Sequence, residues 1–181
     1  MKKLFVVFLV FFCLTVSQVF AYNLKSFTSD VKIISAMQLL EENGEFEVFS
    51  NLKKNAVKVK FYHLSMNNIY AVNAYDEFGR RVILINSIYQ DAPVEQIACL
   101  IAHESYHTAR KATLEEETLA TSKEANCWIK LKKANVIYPQ TKLTQRLDKL
   151  AGLHTDSVRD GNDYIGDKIA SSSFYRSQFG L

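Results

Sequence analysis

Five consecutive residues constrain this chain more than any other stretch: His103-Glu104-Ser105-Tyr106-His107 sets two imidazoles four positions apart, with a carboxylate directly after the first. Four positions is little more than one helical turn, so on a helix both histidines share a face, while Glu104 is turned about 100° to the side. The surrounding residues read as that helix. Asp91 is placed to cap it, Pro93 suits its first turn, and Ile97, Leu100 and Ile101 with Ala98 and Ala102 give an apolar body continuing to about Arg110. Two imidazoles at this spacing can hold one divalent cation. Zinc suits nitrogen and oxygen donors, and a site with three protein ligands leaves a fourth position for water, whose pKa the ion lowers toward neutrality. Glu104 stands where it can accept the proton of that water.

The third ligand must come from elsewhere, and the next segment offers it. Leu114, Glu117, Thr121, Glu124, Trp128 and Leu131 follow a three-four spacing, which predicts a helix from Leu114 to about Ala134 with a stripe apolar at both ends and acidic in the middle. A stripe of this kind faces the core, and buried carboxylates need a cation opposite them. The short connection around Lys111 to Thr113 makes the two helices antiparallel neighbours. His107 then lies level with Glu117, His103 with Thr121, and Cys99 beside Cys127. Glu117 and Glu124, two turns on, are both candidates for the third ligand, and Glu116 stands behind both. Glu115 and Glu116 read mainly as a solvated acidic first turn favoured by the helix dipole.

Elsewhere, Ser29-Asp30 caps a helix over Val31 to Glu42 that Asn43-Gly44 stops, and a short helix follows over Glu45 to Asn55. Val57 to Tyr62 alternates as a half-buried strand. Ile69 to Tyr75 and Arg81 to Ile85 flank Asp76-Glu77-Phe78-Gly79, the pattern of an antiparallel hairpin. Behind the acidic helix Tyr138-Pro139 breaks the pattern, Leu143, Leu147 and Leu150 suggest another helix, and the tail from Asp156 offers turn residues and then a weakly helical stretch.

These residues resemble the zincin metallopeptidases of the gluzincin group, in which an HExxH helix is followed by a helix supplying a glutamate. The resemblance covers about Ile69 to Ala134. His103 to His107 matches the first motif in full, and Glu117-Thr118-Leu119-Ala120-Thr121 is similar to the second, with threonine where many members carry an aspartate that orients a ligand histidine. It implies an α+β, zincin-like fold: a small, mainly antiparallel sheet packed on the active helix, a second helix bearing the glutamate, and a helical C-terminal part. It further implies Zn2+ held by His103, His107 and Glu117, with Glu104 as general base, and a sheet-edge strand that binds the backbone of a peptide or protein substrate. A tyrosine or histidine from the C-terminal part would stabilise the oxyanion, and His154, Tyr138, Tyr164 and Tyr175 are the candidates. The expected reaction is peptide-bond hydrolysis. The alternatives are an inactive zincin-fold binding protein, which would have no use for Glu104, and a zinc amidase acting on a cell-wall amide.

The 181 residues suit one domain, expected over 22–181. Met1-Lys2-Lys3, the apolar run Leu4 to Leu14 and Val19-Phe20-Ala21 have the form of a secretory signal peptide cleaved after Ala21, which predicts a secreted or periplasmic protein without stable membrane insertion. Cleavage would leave 20 basic and 19 acidic side chains, a formal charge near +1 that gives the surface no electrostatic claim on nucleic acid. It would also leave Cys99 and Cys127 as an even pair in an oxidising compartment, open either to a single bridge or to two reduced core thiols.

Overall fold

A computed structural model describes residues 22–109 and 111–180, so the expected leader over residues 1–21 lies outside the described residues. Among those described, seven α-helices and three strands form a mixed α+β fold, and no helix is long and apolar enough to cross a membrane. Helix α1 (Val31–Glu42) starts where Asp30 Oδ1 accepts from the backbone N–H of Lys32 and Ile33, at 2.9 and 3.0 Å, and it buries Ile33, Ala36, Met37 and Leu40. Helix α2 (Phe46–Lys54) buries Val48, Phe49 and Leu52.

The sheet consists of β1 (Lys58–Tyr62), β2 (Ala71–Tyr75) and β3 (Arg81–Asn86) in the order β1-β3-β2. The expected hairpin of β2 and β3 is present. Asp76 Oδ1 accepts from the backbone N–H groups of Phe78 and Arg80, and Gly79 supplies the φ of +73° that the turn requires. The expectation of a mainly antiparallel sheet needs correction, because β1 pairs with β3 in parallel, Val59 opposite Ile83 and Phe61 opposite Ile85. The connection after β1 carries the chain to the far edge, and β3 then returns through the middle. Its unbroken Val82-Ile83-Leu84-Ile85 run is the mark of a strand covered on both faces.

Helix α3 (Val94–Tyr106) lies against β2 and β3, and α4 (Leu114–Leu131) packs along it. α3 has Pro93 rather than Asp91 at its N-cap, and it ends four residues before the expected Arg110. Its end is set by β3 and β2. The buried Arg81 guanidinium donates to the carbonyls of Glu104 and Ser105 at 3.1 and 3.4 Å, and Asn73 Nδ2 donates to Glu104 O at 2.6 Å. A cation on the last carbonyls also suits the helix dipole. α4 stops at Leu131, three residues short of the expected Ala134.

The C-terminal part is helical as expected but begins with a longer element. α5 (Lys142–Asp160) runs through Asp156, where turn residues were expected, and ends at Gly161 with a φ of +71°. α6 (Tyr164–Ser171) packs on α4 and α5, and α7 (Ser173–Phe179) follows it. The core lies between α1, the sheet, α3 and the inner faces of α4 and α5, with Met37, Phe49, Ile83, Ile101, Trp128 and Leu147 fully buried.

Candidate metal centre

α3 and α4 bring together what the sequence separates. His103 lies in the last turn of α3. His107 is one residue past its end, with extended backbone angles of φ −73° and ψ 112°, so the second histidine is delivered by a cap rather than by the helix. The two Nε2 atoms nevertheless converge to 3.1 Å. Glu117, on the first turn of α4, places Oε1 3.5 Å from His107 Nε2 and Oε2 3.8 Å from His103 Nε2. Donors held tetrahedrally at about 2.0–2.1 Å from a zinc ion stand about 3.3 Å apart. All three residues are buried, and Glu117 Oε2 has no hydrogen-bond partner. A buried carboxylate oxygen without a donor is costly in a dry site, and a cation beside it resolves that cost. His103, His107 and Glu117 thus form a buried cluster that could hold a metal ion.

Glu124 lies on the other side of the His103 ring. Its Oε2 approaches His103 Nδ1 to 3.0 Å, without the alignment of a full hydrogen bond. Its Oε1 pairs with Arg146 of α5. His103 sits between the levels of Glu117 and Glu124, and the carboxylate of Glu124, one turn beyond Thr121, is the group that faces its Nδ1. Glu116 is not a freely solvated side chain. Its Oε1 accepts from Thr108 N at 2.6 Å and Thr108 Oγ1 at 3.1 Å, and its Oε2 lies 3.9 Å from His107 Nδ1. Glu115 is exposed, as expected.

The packing tunes each ionisable group. Burial raises the Glu104 carboxyl to about 7, against an opposing pull from His103. Burial, then the neighbouring His103, lowers the His107 imidazole to about 4. Burial opposes the charge of Glu124, but Arg146 and then His103 overcome it and hold the carboxyl at about 2. Cys99 and Cys127 are both buried and lie against each other as two free thiols, with burial pushing the Cys99 thiol well up.

The cluster opens into a cleft of about 520 Å³. It is lined by residues 68–73, which run into the edge strand β2, by His103, Glu104 and His107, and by Phe174, Tyr175 and Gln178 of α7. Of the four residues considered for the oxyanion, Tyr175 is the one that lines the cleft, with its hydroxyl against the Glu117 carboxylate. Tyr138 is packed edge-on against Trp128, and Tyr164 is tied to Asp160 and Asn162. His154, on α5, is not among the cleft residues.

Arg146, Arg81 and Asn73 escaped the reading of the sequence. Arg146 carried a visible signal. With Leu143, Leu147 and Leu150 it completes a three-four spacing, so a cation stood on the inward face of a helix destined for an acidic neighbour. No protein-family model, curated protein or solved structure matches this chain.

Proposed function

We propose that this chain is a zinc-dependent peptidase of the gluzincin type, secreted or periplasmic, with His103, His107 and Glu117 as ligands and Glu104 as general base. The observation that carries the reading is the convergence of three buried donor atoms, no two more than 4.8 Å apart, in a cleft that Glu104 also lines. A bound zinc ion would supply Lewis acidity, polarising the substrate carbonyl and lowering the pKa of water.

The chain's own residues then have separable tasks. Glu104, whose burial already favours proton uptake near neutrality, accepts the proton of the attacking water and passes it to the departing amine. Tyr175 of α7 lines the same cleft and donates a hydrogen bond to the carbonyl oxygen as charge builds on it. β2 is an edge strand, and an extended peptide laid along it would be held by backbone hydrogen bonds.

The test is metal content and peptide hydrolysis of the mature chain, beside His103→Ala and Glu104→Gln. About one zinc per chain is expected in the parent and in Glu104→Gln, and none in His103→Ala; hydrolysis should fall by about 10²–10⁴-fold in Glu104→Gln. Unchanged turnover in Glu104→Gln would remove the base from the mechanism, and a parent unable to bind zinc would remove the enzyme.

A further inference from the structure

Arg146 has no task in the reaction just described, yet it lines the cleft from a third helix. It pairs with Glu124 Oε1, and its guanidinium carbon lies 5.2 Å from the centre of the Tyr70 ring. Glu124 is wholly buried, and a carboxylate in that position is tolerated only with a counter-charge and a fixed set of partners. The cleft already holds the carboxylates of Glu104 and Glu117, so the region around His103 would carry three acidic groups without Arg146.

We propose that Arg146 is a positioning residue for His103. By clamping one oxygen of Glu124, it presents the other to His103 Nδ1, and this turns Nε2 toward His107 and Glu117. The contacts run without a gap. Arg146 takes Oε1, Oε2 stands 3.0 Å from Nδ1, and Nε2 of the same ring stands 3.1 Å from His107 Nε2 and 3.8 Å from Glu117. An imidazole that donates from Nδ1 carries its lone pair on Nε2, the atom a metal needs. A planar guanidinium held over Tyr70 fixes direction as well as charge, which a lysine at the same place would not. Groups behind a ligand histidine of this kind set ligand orientation and metal affinity. The inference rests on the metal-site reading above and adds to it a residue outside the two motif-bearing helices.

The experiment compares the full mature chain with Arg146→Met, Glu124→Gln and the double variant. It reads zinc affinity by competition with a coloured chelator, the visible absorption of the cobalt-loaded protein, and folding by circular dichroism. Expected is a folded Arg146→Met with zinc affinity lowered about 10- to 100-fold and an altered cobalt spectrum. The double variant should be no worse than Glu124→Gln alone, because both changes break one contact chain. Parent-like affinity and spectrum in folded Arg146→Met, or losses that multiply in the double variant, would overturn the inference. Should Arg146→Met fail to fold, Arg146→Gln carries the affinity test. ¹⁵N-histidine spectra of the zinc-loaded parent add a readout without any substitution: a slowly exchanging proton on His103 Nδ1 supports the arrangement, and zinc on Nδ1 overturns it. A parent that binds no zinc overturns the metal site and this inference together, whereas a zinc-binding parent matched by Arg146→Met overturns this inference alone.

Discussion

Glu117→Gln should make the metal-free protein more stable while depriving it of zinc. Without the ion, Glu117 is a buried carboxylate whose Oε2 has no donor, and Glu104 and Glu124 share its pocket. A buried acceptor left unsatisfied costs about 1–3 kcal/mol, and removing the charge at constant shape recovers part of that. We expect a gain of about 1 kcal/mol, which for a domain of this size raises Tm by about 2–4 °C. In the proposed enzyme the parent should gain far more from zinc. At a free concentration of about a thousand times Kd the linkage is about 4 kcal/mol, or a rise of about 8–16 °C. The assay is thermal unfolding followed by circular dichroism, with chelator and then with excess zinc. The parent should melt below Glu117→Gln in chelator and well above it in zinc. A variant that is less stable than the parent without metal, or that keeps the full zinc-induced rise, refutes the assignment of Glu117 as a ligand held in an unfavourable metal-free state.

Three further outcomes follow from the same geometry. The His107 pKa of about 4 lies below the value of about 6.5 for an unfolded chain, so its contribution to stability is complete above about pH 6.5 and lost as the pH falls toward 4. It amounts to about 3 kcal/mol at most. Urea titrations of the metal-free protein across that interval should show the decline, which His107→Ala should lessen; equal declines in both would discount it. Arg81→Met removes donors from Asn73 Oδ1 at 2.7 Å and from two carbonyls at the end of α3, and should cost about 3 kcal/mol in urea unfolding; a loss under about 1 kcal/mol would mean that the clamp is incidental. Tyr175→Phe should lower kcat about 10²-fold with KM little changed, and a change confined to KM would make Tyr175 a binding residue instead.

What the sequence disclosed was local or periodic. His103, Glu104 and His107 fall within five consecutive residues. Glu117 followed from a stripe and a short connection, two features that place a second helix antiparallel to the first. The same reasoning could not say on which side of the imidazole each acid would fall, because a seven-residue interval keeps Glu117 and Glu124 on one face of α4 and only the rotation of the His103 ring separates their positions. The end of α3 was misread because the residues that stop it, Arg81 and Asn73, come from strands before it in the chain. The parallel pairing of β1 with β3 was hidden for a related reason: alternation identifies a strand but says nothing about its neighbour, and the continuous apolar run of β3 was the one sign that it would lie in the middle. Arg146 illustrates the same limit, since its partner stands 22 residues away on another helix and its ring neighbour in the segment before β2.

The Asn73 amide joins two parts of the protein that a substrate would meet in succession. Its backbone belongs to the cleft wall, and its side chain grips the carbonyl of Glu104. In the proposed enzyme, a peptide that seats badly along β2 would therefore disturb the aim of the general base as well as its own hold on the cleft. Poor substrates would then be told from good ones by how fast they are cut after binding, and two peptides of equal affinity could differ widely in turnover.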